Sequence, residues 1–347
     1  MTTLVLSDLH LGARSSILAT PAVRARLLER LGDADQVVLL GDVLSLRDAP
    51  VRDVLTAAGP FLDGLAEAAH GRRVVIVPGN HDHRLAEPLL EAGPTDRRPS
   101  PLGLERIHEP ESGLAAELCR RLGGCEVVVA YPGLWIRPDV YAIHGHYLDC
   151  HITVPRPESL VAAGVEGIVG RLPQGRLTAE DYEAVLAPMY AFAYRRAQSE
   201  PRNGRRAPLA SLGRRARVQG WRQVQGAGGL VAGALAVGAV AGLNRAGLGP
   251  FRADLSADGL GRAGQSAMGE VVARLGVDAE HVVFGHTHHA GAVAGEPRLV
   301  NPGSWVHDRR LIGDEGDRSP YWPGRYVTVG HSGPPEIESV MAEAAAR

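Results

Sequence analysis

Three observations predict an α/β fold. Short runs rich in Val, Ile and Leu, at 3–7, 36–40 and 72–77, each lead into a polar, glycine-containing turn. The stretches between them, about 21–31 and 51–70, carry apolar residues at i, i+3, i+4 spacing. The strand rhythm resumes at 126–130 and 140–144, and again at 281–285, 297–301 and 325–329. Strands alternating with helical segments imply a sheet with helical crossovers.

Each element follows from its residues. The run 3–7 (TLVLS) reads as a buried strand from the start of the chain, with no basic segment or long apolar run before Asp8. That pattern predicts a cytoplasmic protein without a targeting segment. Segment 87–113 (including GPTDRRPSPLG) has loop composition. After about 150 the rhythm changes to helical text, an arginine-rich stretch and an apolar Gly/Ala run. The expected organisation is a core in two parts, 1–150 and 266–347, interrupted by a mostly helical insertion or cap at 151–265.

Composition narrows the function classes. The chain has 347 residues, 45% hydrophobic and 22% charged, with a net charge of -2. This excludes a wholly disordered chain, a collagen-like fibre and a disulfide-stapled miniprotein. All 37 basic residues are arginine, which excludes Schiff-base lysine chemistry and a P-loop lysine. Cys119, Cys125 and Cys150 are odd in number and lack CxxC spacing, so reduced thiols are expected.

The chemistry lies in the turns that follow the strands. SDLH supplies Asp8 and His10, and GD supplies Asp42. GNHD supplies Asn80, His81 and Asp82, HGH supplies His144 and His146, and GHTHH supplies His286, His288 and His289. Any one of these is common in ordinary turns. Five in succession, each behind a predicted strand, point to a shared site, because ligands gather beyond the carboxyl ends of strands in α/β sheets. Carboxylate, imidazole and amide oxygen without thiolate suit divalent Mn, Fe or Zn. The set exceeds what one ion with an open position needs and suits two ions bridged by one short carboxylate. Asp42, directly after a strand and Gly41, fits the bridging position.

In this order the motifs D-x-H, G-D, G-N-H-D, a later His and G-H-x-H, followed by Asn301-Pro302-Gly303-Ser304, resemble the calcineurin-like metallophosphoesterase superfamily. The resemblance covers about 1–149 and 275–330. It implies a four-layered α/β/β/α sandwich with a dinuclear site at the strand ends. One ion would take Asp8, His10, Asp42 and His288. The other would take Asp42, Asn80, His144 and His286, with His144 preferred over His146. His81 would be the catalytic histidine that is not a ligand, and Asp82 its orienting carboxylate. Two divalent ions are expected, Mn2+ first, with Fe and Zn compatible. The implied reaction is hydrolysis of a phosphoester or pyrophosphate bond by a hydroxide bridging the ions, with His81 protonating the leaving oxygen. Within the superfamily the chain is similar to the UDP-2,3-diacylglucosamine pyrophosphatase-like branch, which shares SDLHLG, GNxD and GHTH. It differs in having His81 where Arg is typical and Leu44-Ser45-Leu46 after GD. The alternatives are a soluble nucleotide phosphodiesterase or phosphatase and, in a different class, a non-catalytic scaffold. A scaffold has no need of the full ligand set plus His81.

The insertion carries a separate signal. Residues 195–222 hold nine arginines, at 195, 196, 202, 205, 206, 214, 215, 217 and 222, opposed only by Glu200. The 18 residues 226–243 that follow are uncharged, and six are Gly. A single membrane span there would separate Asp8, Asp42 and Asn80 from His286 and His288. The segment 195–243 is therefore expected either to sit on an anionic membrane surface or to pack on the cap. With no aromatic interleaving beyond Trp221, nucleic acid ranks below both.

Overall fold

The computed structural model describes residues 1–90, 101–152, 172–199, 254 and 256–341. The first βαβαβ unit is β1 (Thr3–Leu6), α1 (Pro21–Gly32), β2 (Gln36–Leu40), α2 (Val51–Ala68) and β3 (Arg73–Val77). Then come β4 (Glu105–His108), α3 (Gly113–Arg121), β5 (Glu126–Arg137) and β6 (Val140–Ile143). Helices α4 (Ala179–Gln198) and α5 (Ala257–Leu275) precede β7 (His281–Phe284), β8 (Gly291–Val293), β9 (Arg298–Asn301), β10 (Arg325–Val329) and β11 (Glu336–Ser339).

The strands form a continuous hydrogen-bonded path in the order β11-β10-β1-β2-β3-β5-β6-β7-β9-β8, with β4 on the side of β5. Strands β1, β2 and β3 run parallel, as do β6, β7 and β9. The 12-residue β5 joins the two groups: Glu126–Val129 pairs with β3, and Gly133–Arg137 pairs antiparallel with β6.

Side-chain alternation turns this path into a sandwich. Period-2 geometry sends successive residues to opposite faces. Val5, Val38, Leu40, Val75 and Val77 of the first group meet Val140, Ala142, Val283 and Val300 of the second in one buried cluster between the layers. The alternate residues Leu4, Leu6, Val37, Leu39, Val74 and Ile76 face outward and pack in a cluster with the helices, including Leu27 of α1, Phe61 of α2 and Leu118 of α3. On the other side, Phe284 and Met268 both border Gly145. Strands buried on both faces explain why the sequence runs are continuously aliphatic rather than alternating. The expected mixed α/β architecture is therefore observed.

Several boundaries differ from expectation. β5 continues seven residues beyond 130, because Tyr131-Pro132-Gly133, which reads as a turn, passes from one sheet to the other. β4 lies within the segment of loop composition and pairs antiparallel with β5. The boundary placed at 265 falls inside α5. The apolar run 226–243 and seven of the nine arginines lie outside the described residues. Among the described residues, no helix is long and apolar enough to cross a membrane.

Helix α4 begins at a full capping box, in which Thr178 and Asp181 satisfy each other's backbone N–H. Its Tyr182, Val185, Leu186, Met189 and Tyr190 belong to the main core, so this helix is packed into the core. Replacing the fully buried Leu39 with Ala should cost about 2–5 kcal/mol, read as a lowered urea midpoint with an unchanged slope.

Candidate metal centre

The turns after β1, β2, β3, β6 and β7 converge at one edge of the sandwich. Hydrogen bonding continues beyond the strands and fixes these turns to one another. Asp8 N donates to Gly41 O (3.1 Å), His10 N to Asp42 O (2.8 Å), Leu11 N to Val43 O (2.8 Å) and Gly285 N to His144 O (2.9 Å). The turns are also conformationally unusual. Asp8, His10, Asp42, His286 and His288 have φ of +56°, +46°, +50°, +65° and +58°, and they are the non-glycine residues with positive φ among the described residues. Each costs about 1–2 kcal/mol relative to ordinary backbone. Such strain gathered in one place is characteristic of functional sites.

Two glycines make the convergence possible. A Cβ on Gly41, itself at φ +78°, would stand 2.2 Å from His144 Nδ1. One on Gly285 would stand 1.8 Å from Ser7 Oγ and 2.5 Å from Asp8 Oδ2.

The seven residues expected as ligands come together. Asp42 lies between two groups of them. Its Oδ2 is 3.6 Å from His10 Nε2, and its Oδ1 is 3.5 Å from His144 Nε2. On the first side, Asp8 Oδ1 is 3.2 Å from His288 Nε2 and 3.8 Å from His10 Nε2. On the second, Asn80 Oδ1 is 3.3 Å from His144 Nε2 and 3.1 Å from His286 Nδ1. Donor atoms of Asp8, His10 and His288 lie within 4.8 Å of one another, as do those of Asp42, His144 and His286.

The other atoms of these side chains are held by the protein. Asp8 Oδ2 accepts from Ser7 Oγ (2.6 Å) and His286 N (2.9 Å). His144 Nδ1 donates to Leu40 O (3.0 Å), which leaves Nε2 facing Asp42. His286 Nε2 contacts Asp149 Oδ1 at 3.0 Å. Asp8 Oδ1, fully buried, has no hydrogen-bond donor among the described residues. A buried carboxylate oxygen left open in this way, facing imidazole nitrogens, fits a divalent cation.

Charge balance points the same way. Burial would raise the Asp8 carboxyl, but His288 and His144 outweigh it and hold it at about 2. Asp42 is likewise well below the usual carboxylate range: its burial is outweighed mainly by His144 and His81. Burial, reinforced by the His81 charge, lowers His10 to about 3. Burial acts in the same direction on His144, but Asp42 and Asp8 overcome it and raise that imidazole to about 10. The centre is therefore two buried anions surrounded by imidazoles, a setting in which positive charge is strongly favoured.

The structure corrects one expected contact. Asp82 does not face His81. It is fully buried, and its carboxylate accepts from the backbone N–H groups of Gly79 (2.7 Å), Asp42 (3.2 Å), Val43 (2.7 Å) and Leu44 (3.1 Å). Burial and the Asp42 charge raise it to about 6, against the hydrogen bonds from the Gly79 and Leu44 N–H groups. The carboxylate beside His81 is Asp48, with Oδ2 3.4 Å from Nδ1, an ion-pair contact without hydrogen-bond alignment. Burial would lower the His81 imidazole, but Asp42 and Asp48 raise it. The His81 ring stands edge-on to His10, with centroids 4.7 Å apart.

Of the remaining histidines, His146 turns away from the centre to Tyr131 Oη (3.1 Å), and His289 packs on Tyr321. Asp48, Asp149 and Glu183 carry no sequence motif. Only the fold brings them to this edge.

A cavity of about 390 Å³ opens beside Asn80 and His81. Arg47, His83 and Arg84 line it on the core side, and Tyr190, Tyr194 and Arg195 of α4 line it on the other.

Comparison with known proteins finds one family. The calcineurin-like phosphoesterase family matches residues 1–170. No curated protein matches the chain. Two solved structures are similar at 12% identity. A predicted phosphoesterase from Streptococcus pneumoniae TIGR4 has a TM-score of 0.28, covering 98% of this chain and 90% of its own. A dimetal phosphatase from Danio rerio has a TM-score of 0.32, covering 98% and 99%.

Asp82→Ala should lower stability by about 3 kcal/mol or more, because four buried N–H groups lose their acceptor. Urea unfolding in chelator-containing buffer checks this without a contribution from bound metal. The match of the calcineurin-like phosphoesterase family over residues 1–170, together with the clusters of candidate metal ligands, identifies the chain as a metal-dependent phosphoesterase.

Proposed function

We propose that the protein hydrolyses a phosphoester or pyrophosphate bond at a dinuclear centre, with Asp42 bridging the two ions. Asp8, His10 and His288 would complete one site, and Asn80, His144 and His286 the other. The observation that carries this reading is Asp42 itself, whose two oxygens face different groups of donors. Two divalent cations there would supply Lewis-acid polarisation of the phosphoryl group and activation of water.

The protein's own residues do the rest. Leu40 O and Asp149 hold the outer nitrogens of His144 and His286, so that their inner nitrogens face Asn80 and Asp42. His81 has a donor atom within 4.8 Å of those of His10 and Asp42 and also lines the cavity, where it can give a proton to the leaving oxygen. With Nδ1 turned to Asp48, Nε2 is the nitrogen left for that transfer. Asp82 serves the backbone of the β2 and β3 turns.

We infer Mn2+ as the first candidate ion, with Fe and Zn next; carboxylate, amide-oxygen and imidazole donors are compatible with all three. For the substrate, we infer an amphiphilic organic phosphate, as in the UDP-2,3-diacylglucosamine pyrophosphatase-like branch. Supporting this, the cavity combines arginines with Leu90, Ala187, Ala191 and two tyrosines. Beside it, α4 exposes Phe192 (69%), and its last turn carries the exposed Arg195 and Arg196. These lead into the arginine-rich sequence, which favours a protein held on anionic membrane from the cytoplasmic side. The same cavity suits a nucleotide, whose base would stack on a tyrosine.

Asp42→Ala should abolish both metal uptake and hydrolysis. His81→Ala should keep metal while losing roughly 10²–10⁴-fold in rate. Asp149→Ala should weaken metal affinity by about 10–100-fold. Metal analysis and rates on the three variants check these roles, and loss of metal in the His81 variant would overturn its assignment.

A hydrolysis panel with Mn2+ tests the substrate. It compares an aryl phosphomonoester, an aryl phosphodiester, a nucleoside diphosphate sugar and a lipid-linked pyrophosphate. The lipid-linked compound should be cleaved fastest, and the protein should cosediment with phosphatidylglycerol vesicles at low salt and dissociate at high salt. Preference for the nucleotide with no vesicle binding would replace the amphiphile by the nucleotide reading.

A further inference from the structure

Behind the cavity lies a buried polar cluster that the hydrolytic centre does not use. Glu183, on α4, is only 8% exposed. One of its oxygens, Oε1, accepts hydrogen bonds from Tyr147 Oη (2.8 Å) and from Tyr131 Oη. The other oxygen, Oε2, lies 2.8 Å from His83 Nε2. Burial would raise this carboxyl, but His83 and the tyrosine hydroxyls outweigh it and keep it below its ordinary range. A buried carboxylate with three donors is a fixed anion.

The partners come from four parts of the fold. His83 follows the GNHD turn, Tyr131 is on β5, Tyr147 is in the turn after β6, and Glu183 is on the inserted helix. The two hydroxyls occupy Oε1, so Oε2 is left for His83. The imidazole is also confined by rings, edge-on to Tyr131 (5.9 Å, 83°) and tilted on Tyr190 (5.1 Å, 53°). His83 thus has its Nε2 committed to Glu183 while it lines the cavity next to Asn80 and His81.

The surrounding wall has the chemistry of an anion subsite. Three arginines, Arg47, Arg84 and Arg195, line the cavity with a single carboxylate, Glu87, which pairs with Arg84 and leaves the wall with an excess of positive charge. Two of them are stationed over tyrosine rings, Arg47 over Tyr190 at 5.7 Å and Arg84 over Tyr194 at 5.6 Å. Guanidinium groups held on aromatic faces bind phosphate oxygens with little loss of side-chain freedom.

We propose that Glu183 is a positioning residue for substrate: through Oε2 it holds the His83 imidazole in the cavity wall, beside the arginines that bind a second anionic group of an organic phosphate. The inserted helix α4 is then part of the substrate site. Chemically, this subsite takes the portion of the substrate that leaves, and it selects compounds bearing more than one anionic group over simple phosphomonoesters. The inference rests on the proposed hydrolytic centre for the position of the reacting phosphoryl group, and its test is a binding measurement that needs no turnover.

The experiment titrates Mn2+-loaded full-length protein with ADP and, separately, with inorganic phosphate, by calorimetry. Wild type, Glu183→Gln and His83→Gln are compared. In both variants the loss of ADP affinity should exceed the loss of phosphate affinity at least fivefold, with metal content unchanged. Glu183→Gln keeps an oxygen for both tyrosine hydroxyls. If it does not fold, His83→Gln, which leaves Glu183 and the tyrosines in place, decides the matter. Equal losses for the two ligands would show a purely structural cluster and overturn the proposal. Unchanged ADP affinity, or no ADP binding by wild type, would overturn it as well. Failure of the wild type to hydrolyse any phosphoester would count against the hydrolytic reading alone, since the titrations still read the subsite.

Discussion

Two carboxylates, Asp8 and Asp42, are buried at the edge where the two sheet layers meet, and the neighbouring structure is arranged to compensate them. A buried anion is tolerated only with opposite charge or hydrogen bonds around it. Here each oxygen has a separate assignment. Asp8 Oδ2 takes two donors from the protein, and Asp8 Oδ1 takes none. Asp42 Oδ1 accepts from His81 N at 2.7 Å, and Asp42 Oδ2 faces His10. The positive-φ turns and the glycines without room for a Cβ are the means by which five strand ends bring donors to these atoms. Roughly 5–10 kcal/mol of backbone strain, at about 1–2 kcal/mol for each of the five residues, is carried by the sandwich core and the backbone bonds between turns.

The sequence shows this centre clearly because its residues sit directly behind buried strands. Val, Ile and Leu runs buried on both faces mark where each strand stops, and the next polar residues are the site. What adjacency cannot show is direction. His81 and Asp82 are neighbours, yet the turn sends one side chain to the cavity and the other beneath the backbone of the β2 turn. Asp48 reaches His81 across 33 residues of sequence, Asp149 reaches His286 across 137, and Glu183 reaches His83 across 100. No periodicity encodes such pairs. They exist only once the two layers are docked.

The strand misread in sequence has a related cause. Tyr131-Pro132-Gly133 has turn composition, but here it lets one strand leave the first layer and enter the second. A Cβ on Gly133 would stand 2.3 Å from Tyr141 Oη, so close approach of the backbone to β6 excludes a side chain. Composition favours a turn at this position, and the pairing of two layers through one strand overrides it.

Helix α4, in the proposed subsite, is the element that would give such a fold selectivity. The hydrolytic centre is built from strand-end turns, which are rigid because they are hydrogen-bonded to one another. Rigid turns of this kind can position a phosphoryl group but offer little surface to distinguish what is attached to it. Helix α4 adds that surface. It buries Tyr182, Leu186 and Tyr190 in the core, which fixes its axis, and it turns Ala187, Ala191, Tyr194 and Arg195 toward the cavity. One buried carboxylate, Glu183, ties this added wall to the turn that carries Asn80 and His81. In the proposed site, chemistry and recognition are divided between elements that are far apart in sequence and joined by a carboxylate–imidazole contact sheltered from solvent. Such a contact is screened by salt far less than a surface ion pair.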